Sequence, residues 1–195
     1  MNDLAAVVLA GGESSRMGQP KAWIDWRGRP LVTWLCEQLA PLASPLIVVH
    51  ALGQSLPPLP ARVERAVDAR PGRGPLEGFA AGLRAVGGRA GAALVASCDL
   101  PLLHADFVRG LASRLAAHDA VLPVADGRDQ VLCGVYRMSV LAAVERQLAV
   151  DNLRVRALLD HIDVLRLPAD ELPHPESVTE VNTPGQLLAA RELAG

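Results

Sequence analysis

Three glycines, two serines, an arginine and a lysine fall within one short string near the start of the chain: Leu9-Ala10-Gly11-Gly12-Glu13-Ser14-Ser15-Arg16-Met17-Gly18-Gln19-Pro20-Lys21. Gly11 and Gly12 let the backbone turn sharply and approach a ligand closely. Successive N–H groups, with Ser14, Ser15, Arg16 and Lys21, then face an anion. That is chemistry for holding phosphates. The string lacks the Gly-Lys-Ser/Thr ending of a Walker loop, and glycines at 11, 12 and 18 do not spell G-x-G-x-x-G. Lys21 stands apart in composition too: of 19 basic residues, 18 are arginine and it is the one lysine. The count fits either a place where a compact ammonium is needed and a planar guanidinium would not fit, or chance in an arginine-rich composition.

Two carboxylates join it. Asp99, in Ser97-Cys98-Asp99-Leu100-Pro101, follows an apolar run that reads as a buried strand, and open α/β sheets bind ligands at the C-terminal ends of such strands. A lone carboxylate there suits Mg²⁺, which takes one or two protein oxygens, waters and substrate phosphates; a helix cap is the competing role. Asp68 opens Asp68-Ala-Arg-Pro-Gly-Arg-Gly-Pro-Leu-Glu-Gly78, a shaped loop between a strand and a helix, where a solvated turn is the alternative. The five histidines are scattered, His161-Ile-Asp163 has no third ligand nearby, and neither Ser14 nor Ser15 has a histidine partner. Packing accounts for Trp23, Trp26 and Trp34.

The elements that position these groups alternate. Leu4–Leu9, Leu46–Val49, Ala92–Ala96 and Ala120–Val124 have the length and aliphatic content of buried strands. Leu31–Ala40, Leu76–Val86 and Asp106–Ala117 carry helical spacing, the last opened by His104-Ala-Asp106. Beyond about Asp126, Gln130–Tyr136 reads as a strand and Ser139–Ala149, Leu153–Leu159 and Gln186–Leu193 as helices. Leu52–Pro60, with Pro57, Pro58 and Pro60, is a surface loop. The pattern predicts an α/β fold: a three-layer sandwich with a mostly parallel central sheet, residues 1–195 forming one domain.

Composition agrees. Half of the residues are hydrophobic and only 3% aromatic, which fits an aliphatic core. A net charge of -2 offers no field for nucleic acid and no anchor for a membrane surface, and no stretch spans a bilayer. Cys36, Cys98 and Cys133 form no C-x-x-C and read as reduced thiols of a cytoplasmic protein.

As a whole, L-A-G-G-x-S-x-R-M-G-x-x-K after an N-terminal strand resembles the signature of nucleotidyltransferases with a Rossmann-like fold. Within them it is most similar to the molybdenum cofactor guanylyltransferase family. The resemblance implies that Leu9, Ala10, Gly11, Gly12 and Lys21 hold the nucleotide, and that Arg16 and Lys21 neutralise charge as pyrophosphate leaves. It implies that Asp99 binds Mg²⁺ and that Asp68, Gly74 and Gly78 belong to the nucleotide site. A carboxylate suits the N1–H and 2-amino donors of guanine. Val181-Asn182-Thr183-Pro184 resembles the family's V-N-T-P-E-E segment, which gives Asn182 a contact to the pterin; a helix N-cap is compatible with the same position. The implied reaction joins GMP from Mg²⁺-GTP to molybdopterin, with the N-terminal half on the nucleotide side, the C-terminal part on the pterin side, and a molybdoenzyme or chaperone receiving the product.

Pro20, where the family more often has aspartate, resembles the related cytidylyltransferases, and Gln130-Val131 replaces a usual proline. Leu9-Ala10-Gly11-Gly12, Gly74-Pro75-Leu76 and Asn182-Thr-Pro point to GTP. A cytidylyltransferase for the same pterin, a transferase for another small phosphate, and a carrier that binds nucleotide or pterin without turnover are the competing readings.

Overall fold

The computed structural model describes residues 3–11, 17–70 and 72–195. β1 (Leu4–Leu9) contains no polar residue and all six of its residues are buried, as a central strand covered on both faces requires. The short strands β2 (Asp25–Trp26) and β3 (Arg29–Pro30) pair antiparallel and lead into α1 (Leu31–Leu39). β4 (Leu46–Ala51) and β5 (Val63–Asp68) follow. Next come α2 (Pro75–Val86), β6 (Ala92–Ser97), α3 (Ala105–Ala112) and β7 (Ala120–Ala125). The order closes with β8 (Arg128–Asp129), β9 (Cys133–Arg137), α4 (Val140–Ala149), β10 (Val164–Pro168) and α5 (Pro184–Leu193).

The large sheet runs β10-β7-β9-β6-β1-β4-β5, with β8 added on β7. The pairs β5–β4, β4–β1, β1–β6 and β7–β10 are parallel, and β9 alone enters the main path antiparallel, between β6 and β7. The sheet is therefore mostly parallel, as the alternation of elements predicts.

Alternate residues of β1 face opposite layers, since side chains on a strand point up and down in turn. Ala6 and Val8 pack with Leu31, Leu35 and Leu39 of α1 and with Phe107 and Leu111 of α3. Val7 packs with Phe79 and Leu83 of α2 and with Val144 of α4. Each such side chain contributes about 1.5–3 kcal/mol on full burial. Phe79 meets Tyr136 edge to face at 4.9 Å, and the Tyr136 hydroxyl donates to the Val131 carbonyl at 2.6 Å. No helix among the described residues is long and apolar enough to cross a membrane.

Gly82 fixes how closely α2 approaches the sheet. A Cβ at this position would lie 2.2 Å from Val7 Cγ1 and 3.1 Å from Val49 Cγ2. Both neighbours are β-branched residues locked in strands, so they cannot swing aside. Overpacking costs about 1–3 kcal/mol and exceeds the roughly 1 kcal/mol that alanine gains over glycine in a helix. Gly82→Ala is expected to lower the thermal midpoint by about 2–6 °C. Gly88→Ala, in open space, is expected to leave it unchanged or slightly higher. Differential scanning calorimetry of the two proteins checks this.

Three elements differ from the sequence expectation. α3 ends at Ala112, short of Ala117, and the left-handed backbone of Ala116 at φ 36 is incompatible with a helix reaching that far. The segment expected as a helix over Leu153–Leu159 is a 3-10 helix, Val155–Asp160. The strand read as Gln130–Tyr136 begins at Cys133. His104 does cap α3, its Nδ1 accepting from the Asp106 N–H at 3.1 Å.

Candidate active site

β1 and β6 lie side by side, so their C-terminal ends bring two sequence motifs together. The Cys98 N–H donates to the Leu9 carbonyl at 3.1 Å, which registers the Asp99 segment against the residues that enter the glycine-rich string. Lys21 is carried by a single helical turn, Lys21–Trp23. Its Nζ donates to Asp99 Oδ2 at 2.5 Å and to Asn182 Oδ1 at 2.5 Å. Residues separated by 78 and 161 positions thus meet at one ammonium. An ammonium has three donor hydrogens, of which the described residues take up two.

Asp99 is 3% exposed, and its Oδ1 is buried with no hydrogen-bond partner among the described residues. Leaving a carboxylate oxygen dry and unpaired costs about 1–3 kcal/mol or more, a cost that folding alone does not justify. Its backbone is fixed as well, the Asp99 carbonyl accepting from the Val181 N–H at 2.9 Å. Trp34 on α1 holds the following Pro101 carbonyl through its indole N–H at 3.2 Å. Asp99 heads no helix; it stands at the end of β6 as a group aimed into the site.

Asn182 is not the helix cap. Thr183 is, its hydroxyl accepting from the Gln186 N–H, with Pro184 in the first turn. Gln186, where the family has an acidic residue, reaches back so that its Oε1 accepts from the Asn182 N–H at 2.8 Å. Asn182 Nδ2 donates to Glu180 at 3.1 Å. Gln186 thus holds the Asn182 backbone, and Glu180 orients its side-chain amide with the oxygen toward Lys21.

The remaining expected residues are placed less directly. Asp68 ends the edge strand β5 at the same side of the sheet, and its Oδ1 accepts from the Arg70 N–H at 2.9 Å, a turn-making contact. Gly74 precedes α2 with φ 91, a conformation that calls for glycine. Gly78 lies on the sheet-facing side of α2, 3.6 Å from the Leu9 side chain by its would-be Cβ; the close approach is at Gly82 instead. Ala10 is engaged within the fold, its N–H donating to the Val49 carbonyl at 2.8 Å. Gly12, Ser14, Ser15 and Arg16 lie outside the described residues.

Sequence reasoning missed several supports. Glu77 is buried in the first turn of α2 and sits 3.2 Å from Arg73 Nε, while Arg73 Nη2 reaches Asp151 at 2.5 Å, tying the loop before α2 to the chain after α4. Trp23 is 39% exposed rather than packed, and its indole N–H donates to the Ser55 carbonyl at 3.1 Å. His104 and His174, apart in sequence, stack with ring centres 3.6 Å apart and planes 27° apart. With Asp106 they bring ligand atoms within 4.8 Å of one another. Imidazole ligands must aim in-plane lone pairs at one point, and in stacked rings these run nearly parallel. The stack is not a metal cradle.

All three cysteines are free and buried. Burial pushes the Cys98 thiol up to about 12, with the neighbouring Asp99 carboxylate adding to it. So close to the site, it is no nucleophile.

Residues 6–166 match the model of the MobA-like NTP transferase domain. A probable molybdenum cofactor guanylyltransferase of Mycobacterium tuberculosis is 40% identical over 193 residues, covering 95% of this chain and 92% of its own. One from Bacillus licheniformis is 36% identical, covering 84% of each. Among solved structures, the molybdopterin-guanine dinucleotide biosynthesis protein A of Archaeoglobus fulgidus superposes with a TM-score of 0.79 at 24% identity, covering 97% of this chain and 98% of its own.

Proposed function

This chain belongs to the MobA-like NTP transferase family and is a nucleotidyltransferase, and from that premise we propose that it transfers GMP from GTP to molybdopterin, releasing pyrophosphate. A terminal phosphate of the pterin attacks the α-phosphorus of GTP; the new P–O bond forms as the bond to the β-phosphate oxygen breaks. Such a reaction needs positioning and neutralised charge more than a protein nucleophile.

The observation that carries the reading is the meeting of Lys21, Asp99 and Asn182 beside a buried carboxylate oxygen that has no partner among the described residues. Lys21, pinned on two sides, offers its remaining donor to phosphate oxygens. Asn182 holds that ammonium in place and presents the pterin side of the site. Nucleotidyl transfer calls for a divalent metal ion, and Asp99 Oδ1, a hard oxygen facing the site, fits Mg²⁺. When bound there, the ion supplies positive charge to the leaving pyrophosphate. Leu9, Ala10, Gly11 and Gly12 line the nucleotide, Arg16 adds charge to the triphosphate, and Asp68, Gly74 and Gly78 belong to the base side. The finished dinucleotide passes to a molybdoenzyme or a chaperone.

Pro20, the residue that resembles the cytidylyltransferases, has a local role. At φ -59 it precedes the single turn that carries Lys21, and its carbonyl accepts from the Trp23 N–H at 2.9 Å. Its presence follows from building that turn, and the choice of base stays with guanine. Incubating the protein with Mg²⁺, molybdopterin and either GTP or CTP while following pyrophosphate tests the proposal. Release with GTP is expected; release with CTP alone overturns the guanine assignment, and nucleotide binding with no release under either condition favours a carrier.

A further inference from the structure

We infer that the proline-rich crossover between β4 and β5, residues 52–60, is a positioning device that grips the nucleotide-binding string at both of its ends, through Gln54 and Trp23. The inference rests on the reading of that string as the nucleotide site.

The grip is made by two adjacent residues. Gln54 uses both ends of its amide: Oε1 accepts from the Ala51 N–H at 2.9 Å, and Nε2 donates to the Ala10 carbonyl at 2.8 Å. Ala10 is the last residue before Gly11, so this bond fixes where the string leaves β1. The next residue, Ser55, offers its carbonyl to the Trp23 indole N–H. Trp23 shares one helical turn with Lys21, so this bond fixes where the string arrives.

The loop can serve as a fixed frame because it is itself held. The Gln54 N–H donates to the Ala51 carbonyl at 3.0 Å, the Thr33 hydroxyl donates to the Pro58 carbonyl at 2.9 Å, and Leu56 and Leu59 pack against the core on the α1 side. Pro57, Pro58 and Pro60 remove backbone freedom from the same stretch. The other ties on Lys21, from Asp99 and Asn182, hold only its ammonium. Gln54 and Trp23 act through the backbone of Ala10 and of the Lys21 turn. Without them Ala10 and the turn that carries Lys21 are held less firmly before a ligand binds, and the cost of ordering them is then set against affinity.

Calorimetric titration of Mg²⁺-GTP into the wild-type protein, Gln54→Ala, Gln54→Glu and Trp23→Phe tests this, alongside a thermal melt of each without ligand. Losing one hydrogen bond that orders the site is expected to weaken GTP binding about 3–10-fold in Gln54→Ala and in Trp23→Phe. Gln54→Glu keeps the acceptor for Ala51 but sets a carboxylate oxygen against the Ala10 carbonyl, so the loss is expected to be larger than in Gln54→Ala. The thermal midpoints are expected to stay within about 3 °C of wild type. Because both residues act through one loop, the Gln54→Ala, Trp23→Phe double variant is expected to lose less than the product of the single losses. A GTP affinity within about twofold of wild type in both Gln54 variants overturns the inference, as does a wild-type protein that binds no GTP. A wild type that binds GTP yet releases no pyrophosphate once molybdopterin is also supplied sinks the proposed transfer alone, since the affinity comparison still reads the grip.

Discussion

Lys21→Ala is expected to lower GMP transfer about 10²–10³-fold, the range seen when one preorganised donor is taken from a site where charge develops. The ammonium is the point at which Asp99 and Asn182 converge. Its removal takes away the charge aimed at the phosphates and also leaves the Asp99 carboxylate with neither oxygen partnered by the described residues. The folded protein without ligand is then less stable, by up to about 3 kcal/mol, since Lys21 is partly solvated and the pair is not fully buried. A domain of this size tolerates that loss. Lys21→Arg keeps the charge but not the shape: a planar fork cannot satisfy two oxygens at 2.5 Å and still point a donor outward. It is expected to recover less than a tenth of the lost rate. Pyrophosphate release under saturating GTP, paired with far-ultraviolet circular dichroism, decides the matter, and a folded Lys21→Ala protein with turnover within about tenfold of wild type would refute the role.

The second large effect lies in Asp99. Asp99→Asn keeps the shape and an acceptor for Lys21 but removes the negative charge and the partnerless oxygen that suits a hard cation. Transfer is expected to fall about 10²–10³-fold, and raising Mg²⁺ is expected to recover part of it. The thermal midpoint without metal is expected to stay within about 5 °C of wild type, because no side-chain volume is lost. Activity measured across a Mg²⁺ titration reads this directly. An unchanged Mg²⁺ dependence would show that the ion, if required, is held elsewhere.

Much of this arrangement is legible in the sequence because the central strands are covered on both faces. β1 and β6 appear as unbroken aliphatic runs since neither face sees water. The edges are harder. β5 carries Glu64 and Arg65 on exposed positions, and β10 places Arg166 between leucines, so neither presents a continuous apolar run. The hairpin of β2 and β3 is too short to leave any period. The helix expected to reach Ala117 stops at Ala112, and the left-handed turn at Ala116 beyond it is one that no composition marks.

The site divides in the same way. Lys21 and Asp99 were recoverable from local strings, one by its uniqueness among the basic residues and one by its place after a buried strand. That Asn182 binds the same ammonium is a matter of three-dimensional closure across 161 residues; the resemblance gave Asn182 a pterin contact and said nothing of Lys21. Its alternative role as a cap is settled by a single register step, with Thr183 doing the capping. Gln54 gave no signal at all. A lone glutamine in a proline-rich loop has no pattern, and its importance comes from which two backbone groups happen to lie within reach.

The buried thiols have a practical consequence. Burial pushes the thiols of Cys36, Cys98 and Cys133 up to about 12, so at neutral pH they stay in the unreactive protonated form. They lie at different depths of one layered structure: in α1, at the end of β6, and in β9. Each becomes available to an alkylating reagent only when its own part of the layering comes apart. The chain thus carries three native clocks for its opening, and the one beside Asp99 keeps time for the active site.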